Sequence, residues 1–299
     1  MRFALWITCV LAQILCCSRV EAQYLGRYDV QVTDPSNSLG YDRQLVLENL
    51  SAALDDWARY IPNLEKLQIE VNVTPNTRSG RFSGRAQSAV PIHWNGMTVL
   101  EECTTNKLRT GVDSNGDKPD VLIELQPDFM RKSYWIDPHP ERRTTPVPRG
   151  KIDLVTVFAH ELGHAFGING RLDRMTGSLP QDQTLSEFDA HIIYPTSNQP
   201  AFRGQKTNAF YGRDLPLTYF SEAGLDIPFQ SNGRNYETRV SKSQNYYHYG
   251  RYTSPGESPL SLFGLMAGGW PYPDPTQGLR IPVGKLDVAI LQDLGVPVR

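Results

Sequence analysis

The sequence predicts an α+β fold in two lobes, and three observations predict it. The chain has 299 residues, enough to bury a real core in one large domain or two modest lobes. Helix-like stretches at 43–60, 151–166 and about 284–294 are interspersed with strand-like runs at 67–73 and 121–125. Pro (22) and Gly (24) are both high, so turns and irregular connections take much of the remainder. The division falls near Gly167. An N-terminal lobe of about 23–167 holds the first helix, a mixed sheet and the 151–166 helix; a C-terminal lobe of about 168–299 faces it across a cleft.

Residues 1–22 read as a secretory signal. Arg2 gives a positive start, Phe3 to Cys17 form an apolar run too short to span a bilayer comfortably, and Val20-Glu21-Ala22 offers a cleavage site before Gln23. The expectation is a secreted, extracellular protein, or a periplasmic one in a Gram-negative source. Cys9, Cys16 and Cys17 would leave with this segment. Cys103 would then be the one cysteine left, with no internal disulfide open to it. Its first reading is a small buried apolar residue; the second is a thiolate capping a metal in a latent form.

Residues 23–40 read as an irregular lead-in. The helix at 43–60 shows Leu45, Leu47, Leu50, Leu54, Trp57 and Ala58 near one apolar face, and Pro62 stops it. Leu67 to Val73 alternates strictly, as a half-buried strand does. Residues 74–90 read as loop or loose hairpin, 97–112 as ambiguous, and Val121 to Leu125 as a strand. Residues 136–150 form a Pro- and Arg-rich connection. Between 151 and 166, Val155, Phe158, Ala159, Leu162 and Phe166 give the strongest helix, with Asp153 near its start and Gly167 at its stop. From 168 to about 280 periodicity is weak, and short elements organised around the site are expected. Leu286, Val288, Ala289, Ile290 and Leu291 mark the last helix, which ends near Gly295.

The net charge is −2, and no basic tract is present. Nucleic acid is therefore not an expected partner, nor is stable membrane insertion. Asn49-Leu-Ser and Asn72-Val-Thr are glycosylation acceptors by pattern, Asn49 less so because it falls within a helix. Oligomeric state is not legible.

The chemistry lies in His160-Glu161-Leu162-Gly163-His164. On a helix, i and i+4 share a face, so both imidazoles reach one metal ion. Glu161 points beside the metal, where it can take a proton from an activated water and pass it to a leaving amine. Zinc suits such ligands. Gly167 extends the pattern to H-E-x-x-H-x-x-G and permits a left-handed turn beneath the metal.

Residues 160–167 resemble the first eight positions of the metzincin zinc signature. Three residues past the glycine that family has His, or Asp in some branches; this chain has Gly170. The leishmanolysin-like branch places an insertion before its third His, and His248, 81 residues beyond Gly167, fits that plan. Met266, in Leu265-Met266-Ala267-Gly268-Gly269, resembles the Met-turn that packs beneath the metal. Residues 286–295 resemble the terminal helix of related secreted proteins. The resemblance covers roughly 150–299. It implies a two-lobed zinc endopeptidase with an active-site helix at the cleft, acting on protein or peptide substrates through a zinc-activated water.

Other third ligands stay open. His191 follows a short acidic stretch, Glu187 stands 23 residues past His164 as a thermolysin-like plan would have it, and Asp173 is a further carboxylate. His93 and His139 precede the motif and read as structural or surface groups. One of Tyr246, Tyr247, Tyr249 or Tyr252 is a candidate to stabilise an oxyanion. Asp113-Ser-Asn115-Gly-Asp117-Lys-Pro-Asp120 gathers oxygens as a Ca2+ site would. It departs from the EF-hand pattern at the sixth and twelfth positions and reads first as a polar turn. The rival class is a secreted binding protein that keeps zinc without hydrolysis; an intact Glu161 argues against it.

Overall fold

The computed structural model describes residues 20–74, 82–94, 96–172, 180–182, 184–196, 199–217, 227–231, 234–238, 248, 265–266 and 278–299. These form a mixed α+β structure with several small sheets.

The chain enters through a hairpin, β1 (Val20–Leu25) and β2 (Tyr28–Thr33). The irregular lead-in expected at 23–40 is thus corrected. Gly26, at φ 61°, opens the two-residue turn between paired Leu25 and Tyr28, and glycine at the first turn position suits the twist of a hairpin. Tyr28, Val30 and Val32 are buried in alternation, the period-2 pattern of a half-buried strand. Helix α1 (Arg43–Ala58) follows and leads into β3 (Gln68–Val73).

Within 74–90, expected to be loop or loose hairpin, lie β4 (Phe82–Ala86) and the start of β5 (Ala89–Trp94), and within the ambiguous 97–112 lie β6 (Met97–Glu102) and α2 (Cys103–Thr110). Then come β7 (Val121–Leu125), α3 (Pro127–Ser133), β8 (Tyr134–Trp135), β9 (Ile152–Asp153) and helix α4 (Leu154–Ala165). Downstream lie β10 (Leu185–Ser186), α5 (Glu187–Ala190), β11 (Ile192–Thr196), β12 (Gln199–Phe202), α6 (Gln205–Tyr211), β13 (Leu215–Pro216) and the pair β14 (Ile227–Ser231) and β15 (Arg234–Thr238). Helix α7 (Lys285–Asp293) closes the chain.

The main sheet runs β1-β2-β3-β7-β4. β2, β3 and β7 are parallel, with Val30 beside Ile69 and Val71 beside Ile123. β4 lies antiparallel to β7 and is the outer strand on that side of the sheet among the described residues, with β1 at the opposite edge. Ile69, Val71 and Val73 alternate inward, and with α1 and α4 they build one continuous apolar core.

An ion-pair network ties residues 278–281 to the start of α4. Arg143 pairs with Asp56 and Asp153, and Arg280 with Asp137 and Asp153. Asp153, expected to serve near the α4 start, makes no side-chain cap to the helix; it takes these arginines and the Thr156 hydroxyl instead. Buried charges are tolerable when paired in this way.

Candidate metal centre

Helix α4 is enclosed almost all round. Nine of its twelve residues are buried, and the other three are His160, Glu161 and His164. An apolar helix therefore opens at one place only, at the polar motif. Packing fixes its rotation. The Trp57 indole N–H of α1 donates to the Ala159 carbonyl at 2.8 Å, and its ring meets Phe166 edge-on at 5.6 Å between centroids.

The helix ends in a Schellman arrangement. Ile168 N–H reaches the Gly163 carbonyl at 3.1 Å and Gly167 N–H the His164 carbonyl at 3.2 Å. Gly167 adopts φ 117°, where a side chain is strained. Thr104 and Thr105 of α2 donate their hydroxyls to the carbonyls of Ala165 and Phe166, satisfying acceptors that the helix end leaves open. This turn brings the Ile168 carbonyl back to His164 Nδ1 at 2.7 Å. His160 Nδ1 lies 2.7 Å from the Leu265 carbonyl.

These two contacts settle the tautomers. A carbonyl oxygen only accepts, so each Nδ1 carries the hydrogen and each neutral ring keeps a lone pair on Nε2. Burial, then the neighbouring His164 and His248, hold the His160 pKa well below the usual histidine value. Yet His164 Nε2 stands 3.2 Å from His160 Nε2, and His248 Nε2 stands 3.1 Å from it. Between His160 and His164 two lone pairs face each other, and these do not hydrogen-bond. Tetrahedral zinc with Zn–N of about 2.05 Å spaces its nitrogens by about 3.3 Å. The three imidazoles thus fit a shared cation, and they form the one group of three or more potential metal ligands among the described residues. A three-histidine set of this kind could hold zinc.

Glu161 lies against the outer strand. Gly84 N–H of β4 donates to Glu161 Oε2 at 2.7 Å. A Cβ on Gly84 would stand 2.4 Å from the Glu161 carbonyl oxygen and 2.6 Å from its Cβ, so only glycine lets strand and helix approach so closely. Burial pushes the Glu161 carboxyl up to about 8, against the Gly84 N–H, which favours the ionised form.

Met266 packs against the helix from the other side. A Cβ on Gly163 would sit 2.5 Å from Met266 Sδ, so the glycine within the motif makes room for the thioether. The rest of the segment expected to form the Met-turn, 267–269, lies outside the described residues, as do Asp173, Tyr246, Tyr247, Tyr249 and Tyr252.

The alternative ligands stand elsewhere. Glu187 lies beside Gly295 and Arg109; burial and then Glu101 raise its pKa to about 8, while Arg109 opposes the rise. His191 stacks on Phe202 and its Nδ1 meets the Arg203 carbonyl at 2.8 Å. In the acidic loop, Lys107 Nζ lies 2.6 Å from Asp113 and 2.8 Å from Asp120. An ammonium thus lies among these carboxylates, in keeping with the polar turn that 113–120 reads as first. Cys103 is buried, with Sγ 3.5 Å from the Asp120 carbonyl, as its first reading had it. Asn49 is buried too and is hydrogen-bonded to Leu45 and Asp137, which leaves no room for a glycan.

Sequence reasoning missed the groups that orient the ligands: the Leu265 and Ile168 carbonyls, Gly84 N–H, Thr104, Thr105 and Trp57. The alternation in β2 and the glycine turn at 26 were readable. A backbone carbonyl's partner has no sequence signature. No family model, no curated protein and no solved structure matches this chain.

Proposed function

We propose that the chain is an exported zinc-dependent endopeptidase of metzincin type, with residues 23–299 as its catalytic domain in two lobes. The observation that carries this reading is the convergence of three Nε2 atoms, with the half-buried carboxyl of Glu161 on the helix that bears His160 and His164. Held by His160, His164 and His248, zinc would supply Lewis acidity toward a carbonyl and toward water.

The chain's own residues supply the rest. Leu265 and Ile168 hold two imidazoles in the ligating tautomer. Glu161 accepts the proton of the attacking water and returns it to the leaving amine. The peptide preference rests on β4. Its outer edge at Gly84 lies within hydrogen-bonding reach of Glu161, so an extended backbone laid along that edge runs past the base.

Zinc content and casein cleavage test the reading together. The wild-type chain is expected to hold one zinc and to cleave casein until chelated. Glu161→Gln should keep its zinc and lose roughly 10²–10⁴-fold in rate. Unchanged cleavage in Glu161→Gln would overturn the role of the base. A zinc-loaded wild type that cleaves no peptide bond would favour the non-hydrolytic binding protein.

A further inference from the structure

The peptide unit joining Leu265 to Met266 is bound at both ends. Its carbonyl faces His160 Nδ1 at 2.7 Å. Its N–H, that of Met266, donates to Asp287 Oδ1 at 3.1 Å. Asp287 lies in the first turn of α7 and is fully buried. Its Oδ2 also takes Gly284 N–H at 2.8 Å and, at 3.4 Å, Leu265 N–H. The bond to Gly284 is the half of a capping box in which the N3 side chain takes the cap residue's own N–H. The bond to Met266 does something else: it reaches 21 residues back, to the segment that touches both His160 and Gly163.

We propose that Asp287 is a positioning residue of the metal centre, acting on His160 through a single peptide group. A carboxylate on the amide N–H draws that hydrogen and polarises the amide, so the carbonyl at the other end becomes a stronger acceptor. The Leu265 oxygen then holds the His160 Nδ1–H more firmly, and Nε2 becomes a better donor to a metal. The familiar pairing of carboxylate, histidine and metal is thereby extended by one peptide unit. The same anchor keeps Met266 Sδ seated over Gly163.

The inference rests on the metal-site part of the proposed function and not on peptide hydrolysis. Zinc affinity, measured by competition with a chromophoric chelator on the full chain, therefore tests it independently of cleavage. Asp287→Asn keeps the shape and removes the charge; it should weaken zinc binding about 10–100-fold. Asp293→Asn is the control from the same helix. Among the described residues Asp293 holds the Lys206 and Thr207 N–H groups, at 2.9 and 2.7 Å, so its loss should cost stability and leave zinc affinity unchanged. Equal zinc affinity in Asp287→Asn and wild type overturns the proposal, as does an equal loss in both variants. Should Asp287→Asn not fold, the wild type still decides. The relay requires the Met266 amide proton resonance to move when zinc is added, and a resonance that stays fixed overturns it. A wild type that binds zinc without cleaving peptides sinks only the peptidase reading.

Discussion

Helix α4 and the Leu265–Met266 crossing meet at the same two residues, His160 and Gly163, and they are held there differently. The helix is determined locally. A spacing of four residues puts two imidazoles on one face, and a glycine at φ 117° ends it. The crossing has no local reason to be where it is. It lies about a hundred residues beyond His164, and Asp287, the Leu265 carbonyl and the Met266 thioether fix it through long-range contacts. The candidate metal site thus joins two imidazoles set by helix periodicity to a half that tertiary contacts place, His248 and the crossing, and either half alone leaves an incomplete ligand set.

Removing one ligand from each half tests that equality most severely. His164→Ala and His248→Ala should each weaken zinc binding by more than about a hundredfold, beyond what outer contacts cost. Equilibrium dialysis against a zinc buffer would measure both. Near-wild-type zinc in His248→Ala would mean that the helix half suffices and that the third ligand lies elsewhere.

Gly163→Ala probes where the two halves interlock. Helix propensity alone predicts that alanine stabilises the chain, by up to about 1 kcal/mol. The 2.5 Å overlap with Met266 Sδ, and Trp57 Cζ2 at 3.3 Å, predict the opposite: a loss of about 1–3 kcal/mol from overpacking. The sign of the change in Tm decides. A gain would show that the crossing rests only loosely on the helix.

The smallest effect lies at the seam formed by Glu187, Arg109 and Gly295. Glu187 is raised to about 8 by burial, whereas an unfolded glutamate titrates near about 4.3. The folded state therefore holds an extra proton between these values, and wild-type stability falls as pH rises through that window. Glu187→Gln removes the titration. It should gain on the wild type from about pH 4.5 to 8, by on the order of 1 kcal/mol for a half-buried group, and show no such gain near pH 4. Urea midpoints at pH 4, 6 and 8 give the comparison. A difference independent of pH would mean that Glu187 titrates as an ordinary surface acid.

Legibility in the sequence followed the same division. Helices α1, α4 and α7 and strands β3 and β7 were readable because apolar periodicity is local. Strands β4 to β6 were not. Their residues, such as Ser83, Gly84 and Arg85 in β4, have little apolar alternation; pairing with β7 makes them a strand. The polar turn read at 113–120 holds a contact hidden for a related reason. Spacing shows the carboxylates but not the ammonium that Lys107, from α2, brings among them.

By itself the sequence determined that one helix carries His160, Glu161 and His164 and stops at Gly167. Those features need only a period of 3.6 residues and a backbone angle that glycine alone adopts easily. Tertiary structure decided which distant group joins the two imidazoles, which nitrogen of His160 keeps its hydrogen, and why Gly84 and Gly163 must lack side chains. Each of these depends on atoms 77 to 105 residues apart in the chain, and no local pattern encodes which remote segments come together.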